Sequence, residues 1–188
     1  MIKNGTIIHA LSGFYYVHAD NSVFECRARG AFRKEGVSPL VGDNVDIETD
    51  GEKGTVTKIH PRKNFLLRPP VANIDRLFIV SSVLSPKPNI FIIDKMTVFA
   101  EKSGIEPIIV FSKCELADSD ELCDVYEKCG FVTLRCSAVT GEGTDRISSL
   151  IKGNRCAFTG NSGVGKSSLI NALSPELSLE TNGISEKL

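Results

Sequence analysis

Gly160–Ser168 reads GNSGVGKSS, and the placement of this stretch decides how the chain is read. Gly160, Asn161, Ser162, Gly163, Val164, Gly165, Lys166 and Ser167 satisfy the spacing G-x-x-x-x-G-K-[ST] of a phosphate-binding loop. Its glycines permit backbone angles that turn successive N–H groups inward, which makes a nest for an anion. The strand-like run RCAFTG (Arg155–Gly160) precedes it. A helix follows, with Leu169, Ile170 and Leu173 available for its inward face. That helix begins near Lys166 and adds its N-terminal partial charge. Lys166 is expected to reach the β- and γ-phosphates, the Ser167 hydroxyl to ligate Mg²⁺, and Ser168 to complete the loop. The loop specifies a nucleoside triphosphate and leaves the base open.

Upstream of the loop the chain alternates strand and helix. RLFIVSSVL (Arg76–Leu84) is a continuous apolar run, as suits a strand covered on both faces. Asn89–Ser103 has helical character, with Ile90, Ile93 and Phe99 for one face and Gly104 as its stop. EPIIVF (Glu106–Phe111) is a second strand. Asp118–Cys129 is a helix with a capping-box-like Asp118 and Glu121 and a stripe of Leu122, Val125, Tyr126 and Cys129. FVTLRCS is a third strand, and Asp145–Ile151 a short helix. This grammar means a mostly parallel sheet with helices on its faces.

Two segments fall at carboxyl ends of these strands, where open α/β sheets bind ligands. They are FSKCEL, containing Ser112, Lys113, Cys114 and Glu115, and CSA, containing Ser137 and Ala138. Their forms approximate the guanine-recognition elements N-K-x-D and S-A of GTPases. There a carboxylate accepts from the guanine N1–H and amine, and the alanine N–H faces O6. Adenine would leave those groups unpaired. Lys113, Ser137 and Ala138 fit; Ser112 stands for Asn and Glu115 for Asp. Glu115 is one methylene longer, and Ser112 is expected to lose the amide that tethers its loop. Both base elements precede the phosphate loop, the reverse of the ordinary order. The domain is therefore read as a circularly permuted P-loop GTPase domain, which preserves a site built from strand ends.

The first 60 residues carry five β-rich runs, GTIIHAL, GFYYVHA, SVFECRARG, DNVDIETD and GTVTKIH, punctuated by turns. A five-stranded OB-like β-barrel closes them economically, with an SH3-like barrel as rival. RKNFLLRPP (Arg62–Pro70) reads as a linker because its prolines exclude helix. We expect domains at 1–68 and 69–188. Arg27, Arg29, Arg33 and Lys34 form one basic cluster, and Arg62, Lys63 and Arg68 another; composition alone reads them equally as solvated loop charge. Of the aromatic candidates Phe14, Tyr15, Tyr16 and Phe24, alternation turns half toward the core.

The chain has 188 residues and net charge −1, so its overall charge demands no polyanion. No apolar stretch reaches the roughly 18–20 residues of a membrane span. The N-terminus lacks the pattern of a secretory signal. The six cysteines form no C-x-x-C pair, stand far from His9, His18 and His60, and suggest reduced thiols in a cytoplasmic protein.

These features together resemble the RsgA-type ribosome small-subunit-dependent GTPases, over the full chain. RPPVANID (Arg68–Asp75) is similar to that family's barrel-to-GTPase junction. PNIFIIDKM (Pro88–Met96) resembles its helix, with Lys95 for the usual Arg, and GNSGVGKSSLINAL its phosphate loop. The resemblance implies binding of GTP/GDP with Mg²⁺ and hydrolysis of GTP to GDP and phosphate, with Lys166 and Ser167 in the catalytic roles. It implies late maturation of the small ribosomal subunit, with rRNA contact by the barrel through Arg27, Arg29, Arg33 and Lys34, and a monomer. The family's D-x-x-G element and zinc-binding domain are not in the sequence. We therefore expect an incomplete C-terminus, with NGISEKL approaching the first switch, zinc only in the missing domain, and weak hydrolysis by residues 1–188. Two other functions fit the residues: a nucleotide-gated RNA-binding module without significant turnover, and a non-guanine P-loop ATPase.

Overall fold

A computed structural model describes residues 1–34 and 36–174; NGISEKL lies outside them, as do the side chains of Arg33 and Lys34. Its residues group into two compact units, Met1–Ile74 and the remainder from Asp75.

In the first unit, β1 (Ile2–Leu11), β2 (Phe14–Ala19), β3 (Ser22–Ala28), β4 (Asn44–Asp50) and β5 (Lys53–Ile59) close into a barrel in the order β1-β2-β3-β5-β4. All ladders are antiparallel except β3–β5. This is the OB-like closure expected from the spacing of the runs. Alternate residues supply the interior: Ile7, Val17, Ala19, Phe24, Cys26, Val45, Ile47 and Val56. A short helix, α1 (Gly30–Lys34), lies in the connection before β4, where the sequence offered no helical period.

The stretch read as a linker is structured instead. β6 (Phe65–Leu67) and β7 (Pro70–Ala72) pair antiparallel, and Leu66 is buried. Proline fits because a two-stranded ribbon leaves each strand an edge that needs no ladder donor. Buried Asn64 donates to the Ile74 carbonyl and accepts from the Ile74 N–H, both at 2.8 Å. Arg62 meets fully buried Asp43 through Nε and an outer nitrogen, both at 2.7 Å. That basic residue is thus a structural partner, not a solvated loop charge.

In the second unit, β8 (Arg76–Ser82), β9 (Glu106–Ser112), β10 (Val132–Cys136) and β11 (Cys156–Thr159) form a parallel sheet in the order β10-β9-β8-β11. Helices α2 (Ile90–Lys102), α3 (Asp120–Lys128), α4 (Thr144–Ile151) and α5 (Lys166–Leu173) connect or follow these strands. Phe78, Val80, Ile108, Val110 and Leu134 pack under Ile147 of α4 and Leu169 of α5.

Helix details depart from the sequence reading. On α2 the buried residues are Ile93, Thr97 and Ala100, whereas Ile90 and Phe99 are exposed. On α3 they are Cys123 and Tyr126, whereas Val125 and Cys129 are exposed. No capping box forms there. Ser119 is the N-cap, and the Asp118 carboxylate accepts from the N–H of Asp120 at 3.0 Å. The short Asx turn satisfies Asp118 locally, and the helix begins at Asp120, two residues later than expected.

Candidate nucleotide site

The carboxyl ends of β8, β9, β10 and β11 bring the loops of interest together on one edge of the sheet. Gly160 leaves β11 at φ +147°. A Cβ added there would lie 2.2 Å from the Val80 carbonyl oxygen, so only glycine fits. Val164 is buried in the sheet core and pins the loop's middle by ordinary packing. Gly165, at φ +92°, is the N-cap of α5. Asn161, Ser162 and Ser168 are exposed; Gly160, Gly163, Gly165, Lys166 and Ser167 are half-buried.

Lys166 Nζ donates to the carbonyls of Gly160 at 2.8 Å and Asn161 at 2.6 Å. It thus lies across its own loop. Burial lowers its pKa, because a partly desolvated ammonium loses hydration. An anion in the nest would restore that stabilisation. The Ser167 hydroxyl has no hydrogen-bond partner among the described residues.

The base-element loop is bonded to the phosphate loop directly. Ser112 is buried, and its hydroxyl donates to the Val164 carbonyl at 2.5 Å, with the Ser81 carbonyl at 3.2 Å. The expectation that serine would lose the tether is therefore corrected: a hydroxyl at this depth reaches the loop backbone itself. Lys113 sits at φ +60°. Its Nζ donates to the carbonyls of Gly163 at 2.8 Å and Ser85 at 2.7 Å. The Cys114 N–H donates to the Cys136 carbonyl at 3.2 Å, joining the two base elements. Burial pushes the Cys114 thiol up to about 11 and the Cys136 thiol up to about 12. Both are therefore unreactive fillers near neutral pH.

Ser137 is fully buried. Its hydroxyl accepts from the N–H groups of Val139 at 3.2 Å and Thr140 at 3.1 Å, so it shapes the turn from within. Ala138 is half-buried and Glu115 exposed. A cleft of about 110 Å³ is lined by Ser112, Lys113, Glu115, Ala138, Gly165 and Ser168, with Cys136, Val139 and Leu169 completing its wall. The sequence reading missed Val139, Leu169 and the Ser85 carbonyl. Ser85 was findable, since it follows β8 on the same strand-end edge. Among the described residues, no group of three or more His, Cys, Asp or Glu side chains could hold a metal ion. A lone Ser167 hydroxyl fits a Mg²⁺ that takes its other ligands from phosphates and water.

On the barrel, Arg27 and Arg29 are exposed. The Arg27 guanidinium lies 4.7 Å from the centre of the Phe14 ring, and Tyr16 donates to Glu25 at 3.3 Å. Tyr15 packs against the barrel interior and Phe24 is buried within it. Arg33 and Lys34 belong to α1, and their side chains are among those not described.

A profile of the RsgA GTPase family matches residues 59–188, and one of the RsgA N-terminal domain matches residues 4–56. The small ribosomal subunit biogenesis GTPase RsgA of Caldanaerobacter subterraneus subsp. tengcongensis is 45% identical over 188 residues, covering 98% of this chain and 64% of the relative. Its namesake from Geobacillus sp. strain WCH70 is 42% identical, covering all of this chain and 66% of the relative. This chain thus spans about two thirds of the length of these curated relatives. The crystal structure of YjeQ from Thermotoga maritima superposes with a TM-score of 0.80 at 34% identity, over 97% of this chain and 68% of that one. That of YloQ, a circularly permuted GTPase, does so with a TM-score of 0.73 at 34% identity, over 94% and 66%. With an OB-like barrel, a parallel sheet in permuted order and profile matches across most of its length, the chain belongs to the RsgA GTPase family.

Proposed function

We propose that the complete protein binds GTP at the strand-end cleft and hydrolyses it to GDP and phosphate during late maturation of the small ribosomal subunit. The observation that carries this reading is the convergence of three separate segments on one cleft: Ser112–Glu115, Ala138 and Gly165–Ser168. The relatives' names, small ribosomal subunit biogenesis GTPase, support the cellular role.

In this reading Gly160–Gly165 present backbone N–H groups to the β-phosphate, and the α5 N-terminus adds its partial charge. Lys166 leaves the carbonyls of Gly160 and Asn161 for the β- and γ-phosphates. Ser167 holds Mg²⁺, which when bound neutralises charge on the phosphate oxygens. The Lys113 stem walls the base, the Ala138 N–H faces O6, and Glu115 accepts from N1–H and the amine. Cys114 and Ser137 hold the two base loops in place. Residues 69–188 supply this chemistry, and residues 1–68 contact rRNA through Arg27, Arg29, Arg33 and Lys34. Positive charge there engages phosphates, and the Arg27–Phe14 pair offers a flat face besides. Among the described residues no helix is long and apolar enough to cross a membrane. We place the protein in the cytoplasm, as a monomer.

The test is GTP turnover by the complete protein with and without small subunits. Stimulated turnover is expected to vanish in Lys166→Ala and Ser167→Ala. Unchanged turnover in both variants would refute the assignment. Nucleotide-dependent subunit binding with no stimulated turnover would favour the RNA-binding module instead.

A further inference from the structure

The turn after β8 offers no group to the nucleotide itself, yet its Ser85 carbonyl is bonded to the base loop through Lys113. Ser82 is fully buried at the end of β8. Its hydroxyl donates to the Ser85 carbonyl at 3.0 Å and accepts from the N–H groups of Ser85 at 3.1 Å and Leu84 at 3.4 Å. One hydroxyl thus holds both the donor and the acceptor of the Ser85 backbone. That same Ser85 carbonyl accepts from Lys113 Nζ at 2.7 Å, while Gly163 accepts from it at 2.8 Å. The N–H of Val83 donates to the Ser112 carbonyl at 3.0 Å, so the turn is laced to the base loop by its backbone as well.

The geometry has a consequence for the lysine. An ammonium on a four-carbon stem is mobile unless its donors are fixed. Two carbonyls, one from the β8 turn and one from the phosphate loop, fix it. Only 3.7 Å separates Lys113 Cε from the position a Gly165 Cβ would take, so the stretched stem forms a wall of the cleft. If the Ser85 carbonyl drifts, Lys113 keeps one anchor, Gly163, and the wall loosens. We propose that Ser82 is a positioning residue of the nucleotide site: by fixing the Ser85 carbonyl it holds the Lys113 stem against the bound purine. This rests on the cleft being the base site. The ligand class is a purine nucleoside diphosphate or triphosphate, and Ser82 acts on it only through Lys113.

The experiment is a double-mutant cycle in the 188-residue chain, reading the affinity for fluorescent GDP. Ser82→Ala removes three hydrogen bonds of the turn and is expected to weaken GDP binding about fivefold, the effect of losing the one bond that reaches the site, from Lys113 to the Ser85 carbonyl. In a Lys113→Ala background the same change is expected to add nothing. Ser82→Thr, which keeps the hydroxyl, should restore the parent affinity. A merely structural serine would weaken binding equally in both backgrounds, and that result, or parent-like affinity in Ser82→Ala, would overturn the proposal. If Ser82→Ala does not fold, Ser82→Cys, similar in size but a poor donor, takes its place in the cycle. ADP is measured alongside. Equal binding of GDP and ADP by the parent would sink guanine recognition while leaving the cycle readable on either purine, because a lysine wall does not distinguish them.

Discussion

The phosphate loop and the base loops meet in one cleft but are held by different forces. The phosphate loop takes its shape from backbone sterics. Gly160 has the Val80 carbonyl where a side chain would be, and Val164 is sunk in the sheet core. The base loops take theirs from side-chain hydrogen bonds: Ser112 to Val164, Lys113 to Ser85 and Gly163, and Ser137 to its own turn. The lesson is that a backbone-dictated element tolerates almost no change at its glycines. A side-chain-tethered element can instead be rebuilt from other residue types, provided that a donor reaches the same carbonyl.

The largest effect is expected from breaking the steric side of this contrast. Gly160→Ala must either displace the Val80 carbonyl or abandon its φ of +147°. A cost of roughly 3 kcal/mol follows from such strain, and GDP affinity should fall at least about a hundredfold, read by calorimetry. Binding within about threefold of the parent would show that the loop is not sterically fixed.

A smaller effect is expected on the tethered side. Ser112→Ala leaves the buried Val164 carbonyl without its hydroxyl partner, at a cost of about 1–2 kcal/mol. Urea unfolding should show that loss, with GDP affinity lower by about tenfold. Equal stability would mean that the Ser112–Val164 bond carries nothing.

How much of this was legible follows the same division. The phosphate loop could be read letter by letter, because glycine spacing and the flanking strand and helix are local features. The parallel sheet followed from buried apolar runs such as Arg76–Leu84. The barrel followed from the spacing of its five runs. What stayed illegible depended on long-range partners. Ser112 looked like a lost tether because its acceptor, Val164, is 52 residues away. Arg62 looked like loop charge because Asp43 is buried elsewhere in the first unit. The prolines of Arg62–Pro70 argued against helix correctly and gave no sign of the β6–β7 hairpin. On α2 and α3 helical spacing alone placed Phe99 and Val125 on the inward face, and both are exposed, because which stripe is covered depends on the strands the helix packs against.

The smallest effect near neutral pH concerns the thiols beneath the base loops. Cys114 and Cys136 are held at about 11 and about 12 by burial, against an ordinary 9.0. Native thiols therefore keep protons that unfolded thiols release, so stability falls as pH rises beyond about 9 and is unaffected below it. Urea unfolding at neutral and alkaline pH, with Cys136→Ala showing a shallower decline, checks the sign. A stability that rises with alkaline pH would contradict it.

In the proposed function these two kinds of loop together make a guanine site. Competition of unlabelled GDP and ADP against fluorescent GDP on residues 1–188 tests it most directly. A site whose carboxylate and N–H groups match guanine should bind ADP at least about a hundredfold more weakly; displacement by ADP at the same concentration as GDP would contradict the account.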